Sequence, residues 1–476
     1  MNTKKHLFWK AAVAALLLAT APSCEVLDQD PPSSLTPEEA FSTPERIDKA
    51  AIGMYDALQN PEFLGGRALI YSDVRSDDTD PSPYFNTIAT FSPQANDIQT
   101  TNGWTGGYRT IYGANFFLQN FEPNASKVTP ALAAQYVGEA KFIRALTLFT
   151  LVNLYAQPYN FTADASHPGV PIQLTAPDAA SAYDAAQQLP RASVRDVYTQ
   201  VIADLTDAAA KLPTDYDDPD YSNIARATKG AAQALLSRVY LYKGDYASAA
   251  TAANAVITSG LYHLNADPAT TFAPPYNTAE SIFSVANNIS DNPNTNNAIG
   301  QHYGPTGRGD ITIGPYVAIP TTLFPANDKR RTELVTLSGG IPYTAKFASI
   351  GDWVPIARYP EVLLTRAEAL ARTTGVTQEA VTLLNQVRDR SKGAGTPSYT
   401  VGSFAAANAL ITSILLERRL ELAFEGHRYY DLLRTRQGVP ARGTAPAVPY
   451  GDNKLVLPIP QVDLQNNPNL QQNPGY

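Results

Sequence analysis

Two stretches of this chain, 131 residues apart, carry the same residues at the same offsets. In Gly244-Asp-Tyr-Ala-Ser-Ala249-Ala-Thr-Ala-Ala-Asn254-Ala-Val256 and Gly375-Val-Thr-Gln-Glu-Ala380-Val-Thr-Leu-Leu-Asn385-Gln-Val387, the Gly, Ala, Asn and Val coincide. Each copy follows an Ala- and Leu-rich segment, Ala231 to Tyr242 in one case and Val362 to Ala371 in the other. A helix ending at glycine, a tight turn, and a second helix with small residues facing the first make up the unit of a tetratricopeptide array. The copies are too far apart for a tandem array, so other segments must be interleaved between them.

The rest of the chain shows helical periodicity in separated blocks. They run from Pro37 to Leu58 with Thr36 as N-cap, Trp104 to Phe121, Pro130 to Tyr155, Ser193 to Leu212 and Thr228 to Tyr242. Four more cover Tyr246 to Thr258, Tyr359 to Arg372, Gln378 to Arg390 and Phe404 to Arg436. Almost nothing alternates apolar and polar residues long enough to predict a strand. The expected class is all-α, with helical pairs forming one domain over 36–476. Two long excursions, about 73–103 and 265–355, mix Asp, Asn, Pro and Ser with aromatic residues. Loops of this length in a compact protein are usually functional or disordered.

Cys24 is the only cysteine in 476 residues. It follows Lys4, Lys5 and Lys10, an apolar run from Ala11 to Ala21, and the small residue Ser23. This is the layout of a secretory signal, and 11 apolar residues are too few to span a bilayer, which takes about 20. We expect residues 1–23 to be a lipoprotein signal, Cys24 to be lipidated, and 24–35 to form a tether. Ala21 and Pro22 depart from the usual lipobox. Without residues 1–23 and their three lysines, the formal charge of −8 becomes −11. An acidic chain excludes nucleic acid as an electrostatic partner and leaves a covalent lipid as the expected means of membrane attachment.

Most familiar catalytic signatures are missing. The five histidines are scattered without metal-site spacing, and no nucleophile elbow or phosphate-binding loop occurs. Asp215-Tyr-Asp217-Asp218-Pro-Asp220 lacks the Gly and Glu that a calcium loop requires at its sixth and twelfth positions. Asp73, Asp77, Asp78 and Asp80 supply carboxylates that a glycosidase would need, but in a Pro/Ser-rich loop they read better as turn formers. We expect no enzyme and no cofactor besides the lipid. In Leu416-Glu-Arg-Arg-Leu-Glu-Leu-Ala-Phe-Glu425-Gly-His-Arg-Tyr-Tyr-Asp431-Leu-Leu-Arg434, Glu417, Glu421 and Glu425 stack beside an apolar stripe. Such a row repels itself unless arginines intervene, so it predicts a partly buried ion-pair network.

That segment resembles the signature of the SusD/RagB family of surface nutrient-binding lipoproteins. Tyr108-Arg-Thr-Ile-Tyr112-Gly-Ala-Asn115, Glu139-Ala-Lys-Phe-Ile-Arg144, Ala225-Arg-Ala-Thr-Lys-Gly230, Arg358-Tyr-Pro-Glu361 onward and the ending Leu457-Pro-Ile-Pro460 to Tyr476 resemble other family blocks, in order. The resemblance implies four tetratricopeptide-like helix pairs, an oligosaccharide ligand held by irregular loops, and a SusC-like TonB-dependent transporter as partner at the outer membrane. Within the family, peptide capture is the alternative; a helical scaffold without small ligand is another. A sugar site needs aromatic platforms flanked by polar groups. In the implied ligand loops the candidates are Asp73, Arg75, Asp78, Tyr84, Trp104, Tyr303, Arg308 and Tyr316, with packing as the competing role for Trp104.

Overall fold

The computed structural model describes residues 35–178, 180–181, 184–216 and 222–476. Cys24, the signal, nearly all of the tether and Asp217 to Asp220 lie outside the described residues.

Eleven helices organise the described chain: α1 (Pro44–Leu58), α2 (Arg67–Asp73), α3 (Ile98–Phe121), α4 (Pro130–Tyr155), α5 (Val194–Lys211), α6 (Lys229–Lys243), α7 (Tyr246–Thr258), α8 (Tyr359–Thr373), α9 (Gln378–Ser391), α10 (Ala407–Glu421) and α11 (Arg428–Arg434). Shorter turns of helix join them. Four pairs, α1/α3, α4/α5, α6/α7 and α8/α9, stack in chain order, each second helix touching the first helix of the next pair, and α10 closes the stack against α8 and α9.

Local chemistry sets the ends of these helices. Thr129, Ser193, Thr228, Asp245 and Thr377 each accept a hydrogen bond from a backbone N–H in the first turn of the following helix. In the two repeats, Gly244 and Gly375 sit just past α6 and α8 with φ of 81° and 82°, a left-handed conformation that strains any side chain. Ala249 and Ala380 are fully buried at equivalent places on the second helices. Between the two repeats, Arg366 of α8 donates to the Ala250 carbonyl of α7 at 2.9 Å.

Two expected boundaries change. The predicted helix Pro37 to Leu58 is broken into Pro37–Ala40 and α1, because Thr43 starts a second capped helix by accepting from the Arg46 N–H. The helix predicted from Trp104 begins earlier, at Ile98, capped by Asp97. Gly103 obscures the first turns in sequence, because glycine disfavours helix interiors by about 1 kcal/mol, and Gly106 and Gly107 add the same cost further along. Packing overrides that cost: a Cβ on Gly107 would sit 2.6 Å from Leu151 of α4.

The excursions are not plain coil. Residues 265–355 hold β1 (Ser281–Val285), and the hairpin β2 (Val335–Ser338) with β3 (Ile341–Thr344); β1 pairs antiparallel with β4 (Val354–Arg358). Both strands of the β1/β4 pair are buried along their whole length, so they have no alternating pattern to read.

Charged residues of the quoted sequence blocks are held in ion pairs that link separate segments of the fold. Arg144 of α4 holds Asp204 of α5 at 2.7 and 2.8 Å and Asn115 of α3 at 2.9 Å. Glu139 takes Arg226 at 2.8 Å, Arg238 takes Glu361 at 2.6 Å, and Arg434 takes Glu368 at 2.6 and 2.7 Å. The row of three glutamates is neutralised, but not by the arginines of its own segment: Glu417, Glu421 and Glu425 are buried against Arg330, Arg358, Arg390 and Lys346, while Arg418, Arg419, Arg428 and Arg434 pair with Asp431, Asp78, Asp77 and Glu368. Positive φ at Phe424 and Gly426 ends α10 and turns the chain into α11, dividing the predicted Phe404 to Arg436 helix.

Candidate functional site

Six of the eight predicted ligand residues are in the core. Asp73, at the end of α2, accepts from Tyr303 Oη at 2.7 Å and from the Gly426 N–H at 3.0 Å. Burial pushes its carboxyl up to about 8, against those two hydrogen bonds. Arg75 lies with its guanidinium 4.5 Å from the Tyr429 ring centre and donates to the Lys454 carbonyl. Asp78 pairs with Arg419 at 2.7 Å, Tyr316 donates to the Leu420 carbonyl at 2.9 Å, and Trp104 packs on Tyr108 and Tyr155. All six are buried, so the expectation that they line an open ligand face is corrected. Each finds a long-range partner inside the fold, and within the loop 73–80 Asp77 and Asp78 are drawn inward by arginines of α10 and α11. Asp77 pairs with Arg428 at 2.7 Å, and Asp80 accepts from Thr312 and from the Gly314 N–H. The cluster is thus committed to structural partners and does not form an open acid and base pair.

Tyr84 and Arg308 do reach the surface, and they meet. The Arg308 guanidinium lies 4.3 Å from the Tyr84 ring centre, Asp310 accepts from Arg308 Nε at 2.7 Å, and Arg67 donates to Tyr84 Oη at 2.7 Å. One face of the tyrosine is therefore occupied by a guanidinium. Asp310 also takes Nδ1 of His302 at 2.8 Å, which ties Arg308 to a buried histidine.

A wide opening lies along the chain segment that leads to this patch. A cavity of about 750 Å³ is bounded by α1, by the Asn-rich loop after β1 and by Trp353. A second opening of about 420 Å³ continues along the same loop as far as Asn294, and the two share Asp56, Gln59 and Asp291. Two residues later, the Asn296 carbonyl accepts from Arg67, and its side chain meets Arg308 at 3.4 Å. The Asn-rich loop thus runs as one wall from Trp353 to the Tyr84/Arg308 patch.

The asparagines make that wall firm. Asn288, Asn292 and Asn294 accept backbone N–H bonds two residues ahead, at 2.8, 2.9 and 2.9 Å, which folds the loop into successive turns. Asn287 donates to the Asp352 carbonyl at 2.9 Å, and Gln59 of α1 donates to the Ala286 carbonyl. Trp353 stacks on Tyr276, centres 5.6 Å apart and planes 19° from parallel, while Tyr276 Oη donates to Asp352 at 2.7 Å. Half-buried Trp353 with Asn287, Asn288, Asp56 and Asp291 around the same cavity is the combination a sugar face requires: an aromatic surface ringed by donors and acceptors. Sequence reasoning placed Trp353 and the Asn run in the long excursion but chose Tyr303 and Tyr316, which have the same composition cues. Position along the chain carried no sign of which tyrosines turn inward.

Comparison with known proteins gives the same fold a lineage. A family profile described as starch-binding, associating with outer membrane, matches residues 25–241, and the SusD family profile matches 339–476. SusD-like protein P2 of Formosa agariphila is 30% identical, the match covering 97% of this chain and 98% of the relative. This chain belongs to the SusD family. SusD superfamily crystal structures agree: one from Bacteroides fragilis superimposes with a TM-score of 0.81 at 30% identity over 90% of this chain and 99% of its own. Another, from Bacteroides vulgatus, gives 0.78 at 25% over 91% and 99%. The family is one of carbohydrate-binding proteins associated with the outer membrane. In this SusD-family chain the interval 242–338, between the two profile matches, contains the Asn-rich loop, Arg308 and the buried Tyr303 and Tyr316.

Proposed function

We propose that this SusD-family protein is a lipid-anchored surface receptor, non-enzymatic, that captures an oligosaccharide in the groove beside Trp353 and delivers it to a SusC-like TonB-dependent transporter. The observation that carries the reading is the groove itself, which combines an aromatic surface, a rigid wall of amides and room for several sugar rings. The family's association with starch and the outer membrane supports the ligand class and the compartment. The basic, apolar and small-residue layout ahead of Cys24 supports a lipid anchor there, whose acyl chains would contribute about 0.8 kcal/mol per buried CH₂, since an acidic chain gains little from anionic lipid. A tethered, non-spanning receptor over a transporter fits the described residues, none of whose helices is long and apolar enough to cross a membrane.

The test is calorimetry of the mature chain against a panel of plant, fungal and bacterial oligosaccharides, repeated with Trp353→Ala. Loss of a central tryptophan contact removes about 2 kcal/mol, or about 30-fold in affinity. A variant that keeps its circular dichroism spectrum and melting transition but binds the oligosaccharide as tightly as the parent would rule out this groove.

A further inference from the structure

The charges around the groove sort the glycans it accepts. Asp48, Asp56 and Asp291 line the main cavity, and the exposed Asp56 and Asp291 also line its continuation. Arg226 is the one cation among the residues lining the main cavity, but its charge is already answered: Glu139 accepts from it at 2.8 and 3.1 Å, and Asp48 lies 3.9 Å away. Arg109 lines only the narrower end, where Asp56 and Asp291 face it. Among the described lining residues, a ligand therefore meets three carboxylates against two cations, one of which, Arg226, is already paired.

We infer that the groove takes neutral glycans and rejects chains bearing uronate or sulfate groups, a reading that rests on the glycan capture proposed above. Sugar hydroxyls donate to Asp56 and Asp291 in charge-assisted hydrogen bonds, while their C–H faces lie on Trp353. A uronate or sulfate brings only acceptors and a like charge to the same wall. Two carboxylates about 7 Å from such a group, in an environment close to water, weaken its binding about tenfold.

The experiment measures affinity of the mature chain, by calorimetry at low salt, for neutral oligosaccharides (malto-, xylo-, manno- and laminari-series) and for oligogalacturonate and oligoalginate of matched length. The expected result is binding confined to the neutral set, with acidic chains at least about tenfold weaker. The double variant Asp56→Asn/Asp291→Asn removes both charges while keeping a hydrogen-bonding group of the same shape, and should shift the ratio of neutral to acidic affinity toward one. An acidic chain that binds more tightly than its neutral counterparts, or a ratio unmoved by the double variant, overturns the charge selection while leaving glycan capture standing. Failure of the parent protein to bind either set overturns the capture reading, and this inference with it.

Discussion

Arg358→Met tests whether the buried charges of the C-terminal signature hold the fold or merely decorate it. Arg358 closes β4 at 2% exposure. It bonds Glu425 through Nε and Nη2 at 2.7 Å each, reaches Glu421 at 3.2 Å and also pairs with Glu280. Methionine fills much of the same volume but leaves three buried carboxylates to Lys346, Arg390 and Arg330. Removing one partner from such a site costs about 3–5 kcal/mol. The pH dependence supplies the discriminating measurement. Burial alone would push Glu425 up, but Arg358 and then Lys346 hold its carboxyl down to about 2, against an ordinary value of 4.5. A folded-state value below the unfolded one stabilises the protein above pH 4.5 and loses that contribution as pH falls toward 2; the shift corresponds to about 3 kcal/mol. Without Arg358, Glu425 protonates in the folded variant too. The deficit relative to the parent should thus be largest at pH 7 and narrow by about 1 kcal/mol by pH 4. Urea unfolding followed by tryptophan fluorescence at the two pH values reads both numbers. A deficit under about 1 kcal/mol at pH 7, or one that widens on acidification, refutes the argument.

Asp73→Asn should act in the opposite sense. With its carboxyl pushed up to about 8 by burial, Asp73 holds a proton more tightly folded than unfolded, so stability is greatest below its ordinary value of 3.8 and falls as pH rises toward 8. The slope it adds is at most about 1.4 kcal/mol per pH unit, and asparagine removes it. Parallel melting-temperature profiles for parent and variant between pH 5 and 8 would refute the assignment. Gly300→Ala places a Cβ 2.6 Å from the Ser349 backbone nitrogen and against its carbonyl, where no side chain can move aside. Overpacking against fixed backbone should cost about 3 kcal/mol in chemical denaturation, and a variant within about 0.5 kcal/mol of the parent would show that the 345–352 segment yields freely.

Helix existence was legible because apolar spacing survives in any environment: Pro130 to Tyr155 and Tyr246 to Thr258 were readable to the residue. Strands buried on both faces were not, since Ser281–Val285 has no alternation, and neither were the first turns of the Ile98–Phe121 helix before Trp104. The site was legible only as a region. Tyr84 and Arg308 were placed at the surface by chance of local geometry, while Asp73, Tyr303 and Tyr316 had equally promising neighbours and went inward.

By itself, the chain's sequence determined the helical pairs, the family and the need to neutralise the glutamate row, but not which cations do so. Those properties depend on spacing along one helix, on glycine at a turn, and on the number of acids and bases that must be matched. Only the tertiary structure decided which aromatic residues face a ligand. That choice depends on long-range partners, such as Gly426 for Asp73, Leu420 for Tyr316 and Tyr276 for Trp353, whose approach no local pattern records. An aromatic ring and an asparagine look alike in sequence whether they pin a loop or hold a sugar, because both tasks use the same chemistry.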